Sequence, residues 1–186
     1  MLKKAILQIR KWIDMGMEPV NISVNQSKIV FYHENYISEL KSLLEEYNVS
    51  GSYITLEVLE STVIEDIDMF NSILTEVKKL GFSVSLDDFG SGYSSLNVLS
   101  KLQIDELKID RIFLHTKSEV DNQRTKWILE SIIEIAKKSQ ILVVVEGVES
   151  KQDDLFIKSL GADVGQGYFY GRPLSISAFN DLIETK

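Results

Sequence analysis

Ile141-Leu-Val-Val-Val-Glu146 is the stretch on which the fold turns. Its five consecutive apolar residues are too few for a buried helix and far short of the roughly 20 that cross a bilayer. They suit a strand buried on both faces, the mark of a parallel sheet flanked by helices. The run stops on a carboxylate, Glu146. Phe82 to Leu86 has the same form and ends in Asp87-Asp88.

Working outward, Leu2, Ala5, Ile6, Ile9, Trp12 and Ile13 fall at helical spacing, with Gly16 as the stop. In Val20-Asn-Ile-Ser-Val-Asn25, Ile22 and Val24 alternate with Asn21, Ser23 and Asn25, which predicts a short strand. The alternation then repeats. Helices are expected near 36–48, 65–80, 94–101, 120–139, 150–159 and 176–184, and strands near 53–58, 82–87, 106–109, 141–146 and 163–168. Alternating βα units imply parallel pairing, because each parallel connection needs a crossover of about a dozen residues or more.

An open doubly wound sheet and a closed (β/α)8 barrel share this grammar, and the strand ends separate them. A doubly wound sheet gathers its polar groups at one crevice, whereas here nearly every strand ends in one: Asn25, Glu57, Asp87 with Asp88, Lys108 with Asp110, Glu146 and Gln166. A TIM-type barrel is therefore the expected fold. A full barrel has eight strands and about 250 residues. This chain of 186 residues carries six βα units and opens on a helix, so the first two strands are expected to be missing. No Pro/Gly/Ser-rich linker divides it, so residues 1–186 read as one N-terminally truncated domain with two sheet edges to cover.

Composition narrows the chemistry. Hydrophobic residues at 44 % and charged residues at 26 % are ordinary globular usage. A net charge of −8 is a poor footprint for gripping DNA. The absence of cysteine removes thiolate nucleophiles and zinc fingers and fits a reducing cytoplasm, and neither an h-region nor a membrane span is present, so a cytoplasmic protein is expected. His33 and His115 are the only imidazoles and receive no role. Acid–base work falls to carboxylates and lysines, and any metal should be a hard cation held by oxygen.

Asn25, Glu57, Asp87 and Asp88 form such an oxygen set at the expected barrel mouth. Two adjacent Asp repel unless cations separate them, and two metals some 3.5–4 Å apart suit phosphodiester cleavage. Lys108 adds a charge able to steer a hydroxide or phosphate oxygen, and Glu146, ending an apolar strand, is placed to take a proton. Each feature also has a plainer reading: Asp87-Asp88 as a turn or cap, Glu57 and Glu60 as solvated charges, Lys108 and Asp110 as a structural ion pair, Gln166-Gly-Tyr as a turn. Solvated charges have no reason to occupy six successive strand ends, however. In the loop Asp87-Asp-Phe-Gly-Ser-Gly-Tyr-Ser-Ser95, Gly90 and Gly92 permit unusual backbone angles, and Ser94 or Ser95 is placed to cap the next helix.

These residues resemble the EAL-domain cyclic-di-GMP phosphodiesterases of bacteria. The resemblance rests on Ile22-Ser-Val-Asn-Gln-Ser27, Leu56-Glu-Val-Leu-Glu-Ser61, Asp87-Asp-Phe-Gly-Ser-Gly-Tyr-Ser-Ser-Leu96, Leu107-Lys-Ile-Asp-Arg111, Val145-Glu-Gly-Val-Glu149 and Gly165-Gln-Gly-Tyr168 with Pro173. It implies a (β/α)8-type barrel with one antiparallel strand that linearises cyclic di-GMP to pGpG using Mg²⁺ or Mn²⁺, two ions in all. By the same resemblance Asn25, Glu57 and Asp87 hold the first metal, with Asp87 bridging to a second that includes Asp88. Lys108 orients the nucleophilic water, Glu146 is the general base, Gln166 is a supporting amide, and Glu60 anchors the Asp-Asp-Phe-Gly loop. Asp110 and Glu149 belong to the same motifs as supporting residues. The resemblance also admits a homodimer and a sensory or GGDEF-type domain in a longer parent. The Glu-Ala-Leu tripeptide, whose Glu is a metal ligand in the family, is absent, as is the Arg that follows it. The alternatives are a non-catalytic cyclic-di-GMP-binding or dimerising domain and a different metal-dependent barrel enzyme.

Overall fold

The computed structural model describes residues 1–63, 66–91, 99–114 and 119–184. Six strands run in one sheet: β1 (Ile22–Gln26), β2 (Ile54–Leu59), β3 (Ser83–Phe89), β4 (Glu106–Ile109), β5 (Leu142–Glu146) and β6 (Val164–Gln166). Every pairing is parallel, and the strand order is sequential from β1 to β6. A doubly wound sheet reverses its order at a switch point. This one never does, so the six strands form a curled, incomplete barrel. Among the described residues β1 and β6 each pair on one side only.

The helices are α1 (Leu2–Asp14), α2 (Lys28–Phe31), α3 (Tyr36–Tyr47), α4 (Glu60–Val63), α5 (Ile67–Lys79), α6 (Glu119–Lys138), α7 (Lys151–Leu160) and α8 (Ile176–Glu184). Their ends follow the local chemistry. Asp66 caps α5 by accepting the Met69 N–H at 2.9 Å, and Ser150 with Asp153 forms a reciprocal capping box on α7. Left-handed Asn48 and Gly161 close α3 and α7. The one-turn helices α2 and α4 were not expected, because four residues are too few to show a periodicity. The expected helix near 94–101 with its Ser94 or Ser95 cap, as well as Gly92 and His115, lies largely or wholly outside the described residues.

Alternation along each strand divides the sheet into two faces. Leu56, Val58, Val84, Leu86, Leu107, Ile109, Val143 and Val145 are wholly buried in one hydrophobic cluster with the helices, where Phe70, Leu74 and Val77 of α5 join them. The residues between them, including Glu57, Asp87, Lys108 and Glu146, point to the other face. Leu142 departs from the expected two-sided burial, being 41 % exposed. It opens β5 on this second face, at the end away from the polar rim.

The strands are stapled where they begin. Asp105, just before β4, accepts the Val84 N–H at 2.8 Å and the Lys78 ammonium at 2.8 Å, and its own N–H donates to the Val84 carbonyl. Asp163, before β6, repeats the device on Val143, accepting its N–H at 2.9 Å. Each Asp locks the register that sets which residue ends the strand.

Candidate functional site

Register decides what meets at the rim. Asn25 pairs with Glu57, Leu59 with Asp87, and Glu146 with Gln166, so these strand ends stand at one end of the sheet. Adjacent strand residues normally face opposite ways, which would separate Asp87 from Asp88. The β3–β4 pairing slips between Leu86 and Phe89, and Asp88 adopts a left-handed backbone with φ of 57°. That bulge turns both carboxylates toward the rim. Asp tolerates the left-handed region better than most residues, and the Asp88 N–H donates to Asp87 Oδ1 at 3.1 Å.

Lys108 is the hub. Its ammonium contacts Glu146 Oε1 at 2.6 Å, Glu57 Oε1 at 2.9 Å and Asp87 Oδ1 at 3.0 Å. Lys108 is 5 % exposed, Glu57 7 % and Asp87 8 %, so water screens little of this charge. Carboxylate oxygens of Asp87, Asp88 and Glu146 lie within 4.8 Å of one another. At that spacing each like-charged pair repels by about 3–4 kcal/mol at an effective dielectric of ~20. Four carboxylates around one ammonium leave an excess of negative charge.

The ionisations report that excess. Burial pushes the Glu146 carboxyl above the ordinary range; Lys108 pulls it back, and the charges of Asp87 and Asp88 push it further up. Asp88 is also raised, first by burial and then by the charges of Asp87 and Asp110. For Lys108, burial works to lower the ammonium's pKa, but the bonds from Glu146, Glu57 and Asp87 outweigh it, and the net direction is upward. Lysine is thus locked in its charged form, while Glu146 moves toward the range useful to a general base.

The remaining expected residues are spread around this centre. Glu60 is buried, and its Oε2 lies 3.5 Å from the Gly90 N–H, beneath the loop after Asp87-Asp88. Asn25 is exposed and lines a cleft of about 570 Å³ beside β1, with Trp12 and Phe179 on its walls. Gln166 is exposed, and its carbonyl accepts the Val148 N–H at 3.1 Å. Asp110 caps the 3-10 turn Arg111–Phe113 by accepting the Ile112 N–H at 2.8 Å. Glu149 is exposed, and its backbone N–H is tied to Asp153 at 3.1 Å. Asp110 thus carries a local capping role while its charge bears on Asp88, and the bond at Glu149 is made by its backbone.

Glu106 was not anticipated. It lies two residues before Lys108, hence on the same face of β4, opposite Ser85 in register. Burial raises its carboxyl as well. Counting back by two from Lys108 would have found it. The donors gathered here are all oxygen, from carboxylates whose mutual repulsion one lysine does not cancel. That set fits a hard divalent cation, and Asp87, Asp88 and Glu146 are close enough to share one.

The model of the family described as EAL domain matches residues 1–173. The chain is 35 % identical over 173 residues to the bifunctional diguanylate cyclase/cyclic di-GMP phosphodiesterase MucR of Pseudomonas aeruginosa, covering 93 % of this chain and 25 % of MucR. The solved PaMucR phosphodiesterase in complex with c-di-GMP superposes with a TM-score of 0.85 at 34 % identity, over 96 % of this chain and 71 % of that one. Klebsiella pneumoniae BlrP1, solved as a calcium/cy-diGMP complex, superposes with a TM-score of 0.78 at 25 % identity, over 92 % of this chain and 42 % of that one. The chain spans about a quarter of the length of the curated relatives it matches.

Proposed function

Since this chain belongs to the EAL domain family, we propose that it carries the core of a metal-dependent phosphodiesterase site that opens cyclic di-GMP to linear pGpG. The observation that carries the reading is the cluster itself, in which Lys108 joins Glu57, Asp87 and Glu146 within 3.0 Å and Asp88 stands beside them. The names of MucR and its c-di-GMP complex support the substrate.

In this reading Asn25, Glu57, Asp87 and Asp88 hold Mg²⁺ or Mn²⁺, two ions in all. Bound there, such cations would polarise the attacking water and neutralise charge on the scissile phosphate. Lys108, charged at every working pH, orients that nucleophile. Glu146 takes the proton of the attacking water as its oxygen bonds to phosphorus, the P–O3′ bond breaks, and the departing 3′ oxygen takes up a proton from solvent. Gln166 supports the site beside Glu146. Glu60 ties the Asp-Asp-Phe-Gly loop to it.

The domain proposal follows from the sheet. Among the described residues β1 and β6 each pair on one side only, and in this proposal those edges receive the strands that complete a barrel, contributed by chain outside these 186 residues or by a partner chain. A homodimer and a sensory or GGDEF-type domain in a longer parent belong to the same proposal, as does a cytoplasmic site of action. Among the described residues no helix is long and apolar enough to cross a membrane.

The test is hydrolysis of cyclic di-GMP with Mn²⁺, read as pGpG release, in the 186-residue chain and in a chain extended to a full EAL domain. Glu146→Gln should lower kcat by about 10²–10⁴-fold, the usual worth of a positioned base. Binding without turnover in both forms would replace the enzyme with a receptor domain, and absence of both would end the reading.

A further inference from the structure

β6 is three residues long, stands at a sheet edge and is mostly exposed, yet it carries Gln166 beside Glu146. So short an edge strand is poorly held by its own ladder. The turn after β6 is unusually tied down. The Val148 N–H donates to the Gln166 carbonyl at 3.1 Å, and the Phe169 N–H returns to the Val148 carbonyl at 3.0 Å. A Cβ on Gly167 would overlap the Val148 backbone, so the two turns lie against each other.

The side chain that closes this arrangement comes from Tyr170. Its ring lies over Gly165, where a Cβ would overlap the tyrosine hydroxyl. The hydroxyl donates to Asp154 Oδ1 at 2.5 Å, and the Lys158 ammonium holds the same carboxylate at 2.9 Å. Asp154 is buried in the first turn of α7, where the helix dipole favours its charge. α7 is thereby connected through Tyr170 to β6 at Gly165, and the segment that ends in Tyr170 is in turn bonded to Val148, two residues after Glu146.

We propose that Tyr170 and Asp154 are positioning residues, a latch that fixes where Gln166 and Glu146 stand at the rim; its catalytic consequence rests on the phosphodiesterase reading, but the latch itself does not. The bond to Asp154 pushes the Tyr170 hydroxyl up to about 12, so the phenol remains a donor at any working pH. Tyr170→Phe keeps the ring over Gly165 and removes only the hydrogen bond. Asp154→Asn is the conservative variant, since its amide oxygen can still accept from the hydroxyl.

The experiment is backbone hydrogen exchange by mass spectrometry on the full chain, with steady-state kinetics alongside. Tyr170→Phe should cut protection about tenfold in peptides covering 144–149 and 164–170 and leave β1, β2 and β3 unchanged. Asp154→Asn should retain most of that protection. In the hydrolysis assay Tyr170→Phe should lower kcat and kcat/KM together by about threefold or more, as expected when a group acting in the transition state is displaced. Unchanged protection at 144–149, or a loss spread evenly over all six strands, overturns the latch. Local loss of protection in a protein that turns over no substrate, either as this chain or extended to a full EAL domain, upholds the latch and removes the phosphodiesterase reading.

Discussion

Lys108→Met tests the electrostatics on which the site depends. Methionine fills nearly the same space, so the substitution removes charge and donors more than packing. Three carboxylates then face one another with no ammonium between them. Breaking a buried ion pair from one side costs about 3–5 kcal/mol. The cost has a ceiling, because a carboxylate can take up a proton. Neutralising a group of ordinary pKa ~4.3 at pH 7 costs about 1.4 kcal/mol per pH unit, near 4 kcal/mol, and at pH 5 only about 1 kcal/mol. At roughly 2–4 °C per kcal/mol for a chain of this size, the melting temperature should fall about 8–16 °C at pH 7 and about 2–4 °C at pH 5. Mn²⁺ at a hundred times its dissociation constant should return about 2.7 kcal/mol. Thermal unfolding at the two pH values, with EDTA and with Mn²⁺, reads all of this. An equal drop at both pH values would mean lost packing rather than unmatched charge, and an unchanged melting temperature would refute the reasoning outright.

Three further outcomes can be checked. Glu146 and Asp88 both have raised carboxyls, so each adds stability as pH falls from its folded value toward the ordinary value near 4 and loses it as pH rises. The metal-free chain should therefore lose these groups' share of stability as pH rises from the ordinary carboxylate range through their raised folded values, and Glu146→Gln should flatten that slope. Gly51→Ala would drive a methyl into the Leu80 carbonyl oxygen, a backbone atom with no rotamer to yield; a loss of about 1–3 kcal/mol in urea unfolding is expected. Phe70 is wholly buried and stacks on Phe31 with ring centroids 5.1 Å apart, so Phe70→Ala should cost about 3–5 kcal/mol with no change in the denaturant m-value.

The alternation of helical and strand periodicities in the sequence determined that this is a parallel βα protein, and the polar residue after each apolar run determined which end is chemically rich. Both are local properties: period and strand length are written in neighbouring residues, and the six strands occur within a residue or two of the positions read from them. Tertiary structure alone decided the rest. The left-handed backbone of Asp88 and the slipped β3–β4 register bring two adjacent aspartates to one rim, and no composition or spacing predicts a bulge. The convergence of Glu57, Asp87 and Glu146 on one lysine is a sum over three strand registers, each locked from a distance by groups such as Asp105 and Asp163. Tyr170 and Asp154 stand in no motif of the sequence, because their meaning arises only where a loop after β6 meets the first turn of α7. A sequence carries the pairing preferences of each element, but the distance between two charges depends on every register between them.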